Sequence, residues 1–346
     1  MSLMKLFAPC EAGLEGVLAD ELASLGARNI VQTRRGVSFD GGRNVLVACN
    51  LQSRLANRIL VQLQTFRVRN RDDLYSAASR IPWGQWISPD HTIAVDTRGG
   101  LPNLPSNLMN QVVKDAICDR ARREEGRRPD VLRQNPDVPI SAHIAGDMCT
   151  LSLDSSGARL HRRGYRTRGG PAPLKETLAA GLLALAGWNG ERPFLDPMCG
   201  SGTLAIEAAM IARRIAPGLS RLDGEGFALT RWRGHDAKGF AIQVDRIRGY
   251  GFPKAQVPIV GSDVDAGAVY TARANTEEAG VSDTVELSVC DVRDVEPPTE
   301  SGVMISNLPY GERLEADGEL DQLHRAVGDT LKSRFSGWHA WLLVAN

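Results

Sequence analysis

Four short stretches hold residue types that could do chemistry. The first is Asp196-Pro197-Met198-Cys199-Gly200-Ser201-Gly202-Thr203, which ends a short apolar run and opens a helical pattern. Glycines here let backbone approach a ligand, and a helix start offers free amides. Gly200, Gly202 and Ala205 fit the degenerate dinucleotide pattern G-x-G-x-x-A, which alone is a weak signal. Asp196 in that place would repel a pyrophosphate and suits a ligand with a positive ammonium group. S-adenosylmethionine has such a group and no phosphate. The second stretch is Gly261-Ser262-Asp263-Val264-Asp265, where Asp263 can accept from both ribose hydroxyls and Asp265 can cap the following helix. The third is Cys290-Asp291, where a carboxylate can accept from an adenine amino group.

The fourth stretch is Asn307-Leu308-Pro309-Tyr310, after an apolar run at 302–306. An amide, a bare backbone carbonyl and an aromatic ring at one strand end suit methyl transfer to an exocyclic amine. That nitrogen is planar, with its lone pair delocalised into the base. The Asn307 side-chain oxygen and the Leu308 carbonyl can each accept one of its N–H bonds. Two acceptors off the ring plane favour a pyramidal nitrogen whose lone pair faces the methyl group. Pro309 fixes the backbone. Tyr310 offers a face for a flipped-out base. A protein glutamine presents the same planar NH2, so a tRNA guanosine, a DNA base or a peptide glutamine is an alternative target to ribosomal RNA. A non-catalytic RNA-binding assembly factor with a vestigial site is a further alternative.

These stretches need a scaffold that delivers them to one edge. After residue 173 short apolar runs alternate with helical patterns, giving strands at 193–196, 258–264, 285–290, 303–306 and 340–345. Helices are expected at 175–188, 203–214, 266–279 and 318–335. Such alternation predicts a doubly wound, mostly parallel α/β sheet, with ligands at the strand ends. Residues 215–257, rich in Gly, Arg and Trp, read as an insertion.

The front of the chain reads differently. Residues 1–66 give a small α+β unit, and 67–158 a second one with a long helix that Ser106 is expected to cap. Residues 159–172 form a basic, Gly-rich linker. The 346 residues carry 41 Lys+Arg and 41 Asp+Glu, but residues 1–170 hold 24 of the cations against 17 acids. A basic front half suggests a nucleic-acid-binding module. Its candidate contacts are Arg122, Arg123, Arg127 and Arg128 at the end of the long helix, and Arg162, Arg163 and Arg166 in the linker. Trp232, between Arg231 and Arg233, is of the kind that stacks on RNA. The six cysteines are scattered and the six histidines show no ligand spacing, so no metal is expected. The absence of a long apolar run and of a signal peptide predicts a cytoplasmic protein away from membranes.

Together the four stretches resemble the motifs of class I S-adenosylmethionine-dependent amino-methyltransferases. Residues 160–166, 173–180 and 307–314 narrow this. They resemble the THUMP-domain RNA methyltransferases that make N2-methylguanosine, most closely the bacterial 23S rRNA guanine-N2 enzymes of the L type. The resemblance covers essentially the whole chain. It implies a ferredoxin-like domain at 1–66, a THUMP RNA-binding domain at 67–158 and a Rossmann-like methyltransferase domain at 173–346. It also implies that Pro173, Lys175 and Glu176 close the methionine end of the cofactor site. The implied partner is structured RNA, 23S rRNA or a ribosome assembly intermediate. Such enzymes often have Pro where Leu308 stands, but the acceptor is a backbone carbonyl, so Leu is expected to serve. Their sheet continues past the fifth strand, so a piece lacking its last strands is expected.

Overall fold

The computed structural model describes residues 3–101, 104–166, 174–309 and 319–344. Two compact units result, and neither is one continuous run of sequence. The first comprises Met1–Leu160 with Arg221–Asp245, the second His161–Ser220 with Arg246–Asn346.

The first unit contains β1 (Met4–Pro9), α1 (Glu15–Ser24), β2 (Arg28–Thr33), β3 (Gly36–Gly41), α2 (Arg43–Gln52) and β4 (Leu60–Arg67). It continues with α3 (Arg71–Arg80), β5 (Thr92–Arg98), α4 (Ser106–Glu125), β6 (Asp130–Val131), β7 (Val138–Ala145) and β8 (Met148–Asp154). Two small modules are visible in the order of elements, but they share one sheet, β2-β3-β1-β4-β8-β7-β5-β6. The join is the antiparallel pair β4–β8, in register from Leu60↔Asp154 to Arg67↔Met148. Helix α4 ends at Gly126, whose φ of 75° closes the last turn. Ser106 is the first helical residue and Pro105 precedes it, so the expected side-chain cap is not formed.

Residues 221–245 belong to this unit because buried charge ties them to it. The Arg221 guanidinium donates to the carbonyls of Arg159 (2.9 Å), Ser156 (3.2 Å), Ala158 (3.2 Å) and Gly226 (3.0 Å), and lies over the Phe227 ring. Arg231 pairs with Asp137, and Arg233 with Glu125. Trp232 between them is buried. It is therefore packed inside the unit, where an RNA base cannot stack on it. Counted by unit, the charge contrast shrinks. The first unit holds 24 Lys+Arg against 21 Asp+Glu, the second 17 against 20. The change comes from the four arginines of 161–170, which lie with the second unit; the insertion adds four cations and four acids to the first and leaves its balance unaltered.

The second unit contains α5 (Glu176–Leu185), β9 (Phe194–Asp196), α6 (Thr203–Ala212), then α7 (Ala237–Arg248), which begins in the first unit. It continues with β10 (Ile259–Asp263), α8 (Ala266–Glu278), β11 (Val285–Val289), β12 (Gly302–Asn307), α9 (Glu319–Arg334) and β13 (Trp338–Leu343). The sheet order is β11-β10-β9-β12-β13, every pair parallel. Phe194, Ile259, Val303 and Ile305 pack under Leu204, Ala205 and Ala208 of α6 and Ala179 and Leu183 of α5. The central strands β9, β10 and β12 are buried on both faces, which is why they read as short continuous apolar runs, while the edge strands β11 and β13 are largely exposed. Strand β9 has β10 on one side and β12 on the other, so the topological switch point lies between β9 and β12.

If Arg221 organises the insertion, Arg221→Met should leave four carbonyls short of a donor. We expect a loss of about 2–4 kcal/mol in urea unfolding followed by tryptophan fluorescence. Arg231→Ala, at a half-exposed ion pair, should cost about 1 kcal/mol or less. Equal losses for the two would contradict this account.

Candidate active site at the switch point

The carboxyl ends of β9, β10, β11 and β12 bring together Asp196, Asp263, the residues after Val289, and Asn307. The register Ile259↔Phe194, Val303↔Phe194 and Ile259↔Val285 sets their order along one edge.

Asp196 is buried, and its Oδ1 accepts from Ser306 Oγ at 2.7 Å and Met198 N at 3.3 Å. Burial pushes its carboxyl up to about 7; the two hydrogen bonds oppose the shift and the Asp263 charge adds to it. Ser306 comes from β12, so this bond spans the switch point. Ser306 was not singled out from the sequence. The signal was there, a serine inside an otherwise apolar buried strand.

Residues 197–203 form the turn between β9 and α6. Gly200 and Gly202 have φ of 53° and 82°. A Cβ on Gly202 would lie 3.0 Å from Ala272 Cβ on α8, so position 202 needs glycine for both its conformation and its packing. Cys199 N donates to Ser262 O at 2.8 Å, and Asn275 donates to Ser201 O at 3.0 Å. Gly200 N donates to Asp263 Oδ2 at 2.8 Å. The carboxylate expected at the ribose thus also holds the glycine turn. Asp265 caps α8 by accepting from Gly267 N at 2.8 Å.

Asp291 is engaged by its neighbour Arg293, whose Nε and Nη2 lie 2.9 and 2.7 Å from its two oxygens. The guanidinium and backbone N–H of Arg293 hold the Asp291 carboxyl below its ordinary range. At the end of β12, Asn307 Oδ1 is buried and has no hydrogen-bond partner among the described residues. Leu308 N donates to Leu343 O at 3.1 Å, a bond that proline could not make. Its side chain packs with Val292 and Val327, and Met198 of the glycine turn joins that cluster. Pro309 is half-buried. Tyr310 and Pro173 lie outside the described residues.

Lys175 precedes α5 and Glu176 opens it. Glu176 is buried, which raises its carboxyl, while the Arg166 charge opposes the rise. The linker arginines divide. Arg162 is exposed. Arg163 is 1% exposed and ion-paired with Glu207 of α6, so burial corrects its expected place on an RNA-facing surface. Arg166 contacts Glu176 and Thr203. Arg122, Arg123, Arg127 and Arg128 remain exposed at the end of α4, with Arg127 paired to Asp90.

A parallel sheet with its first strand central, a glycine turn after that strand, acids ending the next two and an unpaired amide ending the fourth define the class I methyltransferase architecture. The cofactor of that class is S-adenosylmethionine, and the donor set fits it: buried or strand-end carboxylates, and a glycine turn facing acids instead of cations. The chain belongs to the RMKL-like methyltransferase family, whose domain model matches residues 163–346. A THUMP domain matches 68–154, and an RlmL ferredoxin-like domain matches 5–60. The chain is similar to a Ribosomal RNA large subunit methyltransferase K/L of Methylococcus capsulatus, 41% identical over 98% of this chain and 47% of that one. It thus spans about half the length of the K/L relatives it matches. A Synechocystis protein provisionally named an RNA methyltransferase is 38% identical, over 98% of this chain and 88% of its own. Among solved structures, one provisionally assigned methyltransferase complexed with S-adenosylhomocysteine (SAH) superposes with a TM-score of 0.89 at 29% identity, covering 99% of this chain and 89% of that chain. A Listeria monocytogenes structure, named as an N6-adenine-specific DNA methylase, has the same TM-score at 32% identity and the same coverages. No helix among the described residues is long and apolar enough to cross a membrane.

Burial of Asp196 has a consequence for stability. A folded-state value raised to about 7 from 3.8 means the folded chain prefers the neutral acid. Stability from this group is full below about pH 4 and is lost as pH rises through about 7. Asp196→Asn, a neutral mimic that can still accept from Ser306, should therefore stabilise the ligand-free protein at about pH 8, on the order of 3 kcal/mol, and hardly at about pH 4. Thermal melts at both pH values check the sign; a variant less stable than wild type at the higher pH would refute it.

Proposed function

We propose that the chain transfers a methyl group from S-adenosylmethionine to the exocyclic N2 amine of a guanosine in 23S rRNA. The observation that carries this reading is the buried, unpaired Asn307 Oδ1 at the end of β12, one residue from the Ser306–Asp196 bond. An acceptor held without a donor is costly unless a ligand supplies one. An exocyclic amine supplies two N–H groups, one for Asn307 and one for the Leu308 carbonyl. The cofactor, when bound, supplies an electrophilic methyl group on a sulfonium. Asp263 and Asp291 would hold its adenosine. Asn307 and Leu308 orient the amine so that its lone pair leaves the base plane. The product nitrogen is cationic and loses its proton readily, so the site needs no strong base.

The similarity to K/L relatives supports large-subunit rRNA as the substrate, and the THUMP match supports RNA as its class. The exposed arginines at the end of α4 would meet phosphates, with a salt-sensitive affinity. The Listeria name points instead to an adenine amine in DNA. The same pair of acceptors would serve that target, so the modified nucleoside must be identified. A digest of unmodified ribosomal RNA incubated with radiolabelled cofactor should yield N2-methylguanosine; methylated adenine would redirect the assignment.

Asn307→Ala should leave cofactor affinity nearly intact and slow single-turnover methylation. A loss of about 3–4 kcal/mol, two to three powers of ten, is the scale for one preorganised polar contact. Tyr310→Ala should weaken RNA binding as well, by about 1–3 kcal/mol for a lost stacking face, while Tyr310→Phe keeps most activity. Normal rates in Asn307→Ala would remove the amide from the mechanism.

A further inference from the structure

Arg166 sits in a stretch whose composition suggests RNA contact, yet its donors turn inward. Nη2 lies 2.8 Å from Leu174 O and 3.0 Å from Thr203 Oγ1, and 3.4 Å from Glu176 Oε1. These partners come from two separate segments. Leu174 and Glu176 lead into α5, and Thr203 is the first residue of α6 after the glycine turn. One guanidinium therefore joins both helix starts. The same short segment is anchored a second time on α6, where Arg163 Nε and Tyr165 Oη lie 3.4 and 3.2 Å from Glu207 Oε1. A buried Glu–Arg pair is strongly disfavoured if one partner is removed, so the segment's path is fixed.

We propose that Arg166 is a positioning residue of the cofactor cradle, shaping the place that receives the amino-acid end of S-adenosylmethionine, and is not an RNA ligand. This rests on the methyl-transfer reading above. Glu176 is 3% exposed, and its Oε2 has no hydrogen-bond partner among the described residues. A buried carboxylate oxygen without a donor calls for one. With Asp263 and Asp291 given to the adenosine, the rest of the cofactor ends in an ammonium and a carboxylate side by side. Glu176 Oε2 complements the ammonium, a role expected of Asp196, whose Oδ1 instead accepts from Ser306 and Met198. The start of α6, steadied by Arg166 through Thr203, complements the carboxylate through its free amides. A phosphate of RNA would need an exposed guanidinium; the Arg166 side chain is 19% exposed, and the partners above already occupy its Nη2.

The test compares two nucleosides on the full chain. SAH carries the amino-acid end; 5′-methylthioadenosine has the same adenosine without it. Arg166→Lys keeps the charge but loses the planar fork. By calorimetry it should weaken SAH binding about tenfold and leave 5′-methylthioadenosine within about twofold. Its affinity for an unmodified large-subunit ribosomal RNA transcript at fixed salt should not change. Equal losses for both nucleosides overturn the proposal, as does weaker RNA binding with SAH binding intact. If wild type binds both nucleosides and the variant changes neither, this inference alone fails. If wild type binds neither, the methyl-transfer reading fails and the inference with it.

Discussion

The Ser306–Asp196 hydrogen bond, 2.7 Å and fully buried, is the constraint around which the second unit's edge is arranged. It fastens β9, which launches the glycine turn, to β12, which ends in Asn307. Without it a carboxyl would stand in a dry interior with only the Met198 N–H at 3.3 Å. The β9–β12 register is short, Val303↔Phe194 and Met304↔Leu195, so the side-chain bond extends the strand pairing to the point where chemistry is proposed. Met198 and Leu308 meet in one apolar cluster, which couples the same two segments by packing. The turn proposed to face the cofactor and the strand end proposed to face the amine are thus held as one piece, as preorganised catalysis requires.

The first unit solves a different problem. Its eight-stranded sheet depends on β4–β8 pairing between segments about ninety residues apart. The insertion at 221–245 adds a strap of arginines that end on backbone carbonyls and acids of the same unit. Those arginines are spent internally, and so are Arg163 and Arg166 in the second unit. What is left for a polyanion is the set of exposed arginines, among them Arg34, Arg35, Arg133, Arg162 and the group at the end of α4, instead of every cation of the basic half. Affinity for RNA then depends on where few charges sit more than on how many the sequence contains.

Much of this was legible in the sequence. Strand and helix positions after residue 173 followed from short apolar runs separated by helical periods, because the central strands are buried on both faces. The glycine turn, Asp196, Asp263 and Asn307 were found where strands end. Position along the chain hid other features. Arginines at 162, 163 and 166 look alike in sequence, yet one is exposed and two face acids, since only the fold brings Glu207 and Glu176 to them. The insertion's attachment to the first unit was hidden for the same reason: Arg221 finds carbonyls of residues 156–159, a contact without periodicity. The contrast in charge between halves was real as a count, but it followed chain order, and the units do not.

Among the buried acceptors without donors in the described residues, which also include Asn275 Oδ1 and Glu207 Oε2, two lie at the candidate site: Asn307 Oδ1 and Glu176 Oε2. Each disfavours the folded state by about 1–3 kcal/mol, and neither packs as an apolar residue would. A fold selected for stability alone would have filled these positions differently. Their cost makes sense if ligands complete them. Asn307 lies at the end of β12 and Glu176 at the start of α5, so the two ask for different donors: a planar amine at one, an ammonium at the other. A methyl donor that is an amino acid at one end, and an acceptor that is an exocyclic amine, satisfy the two together. Binding energy from both is then available to order the site before the methyl group moves.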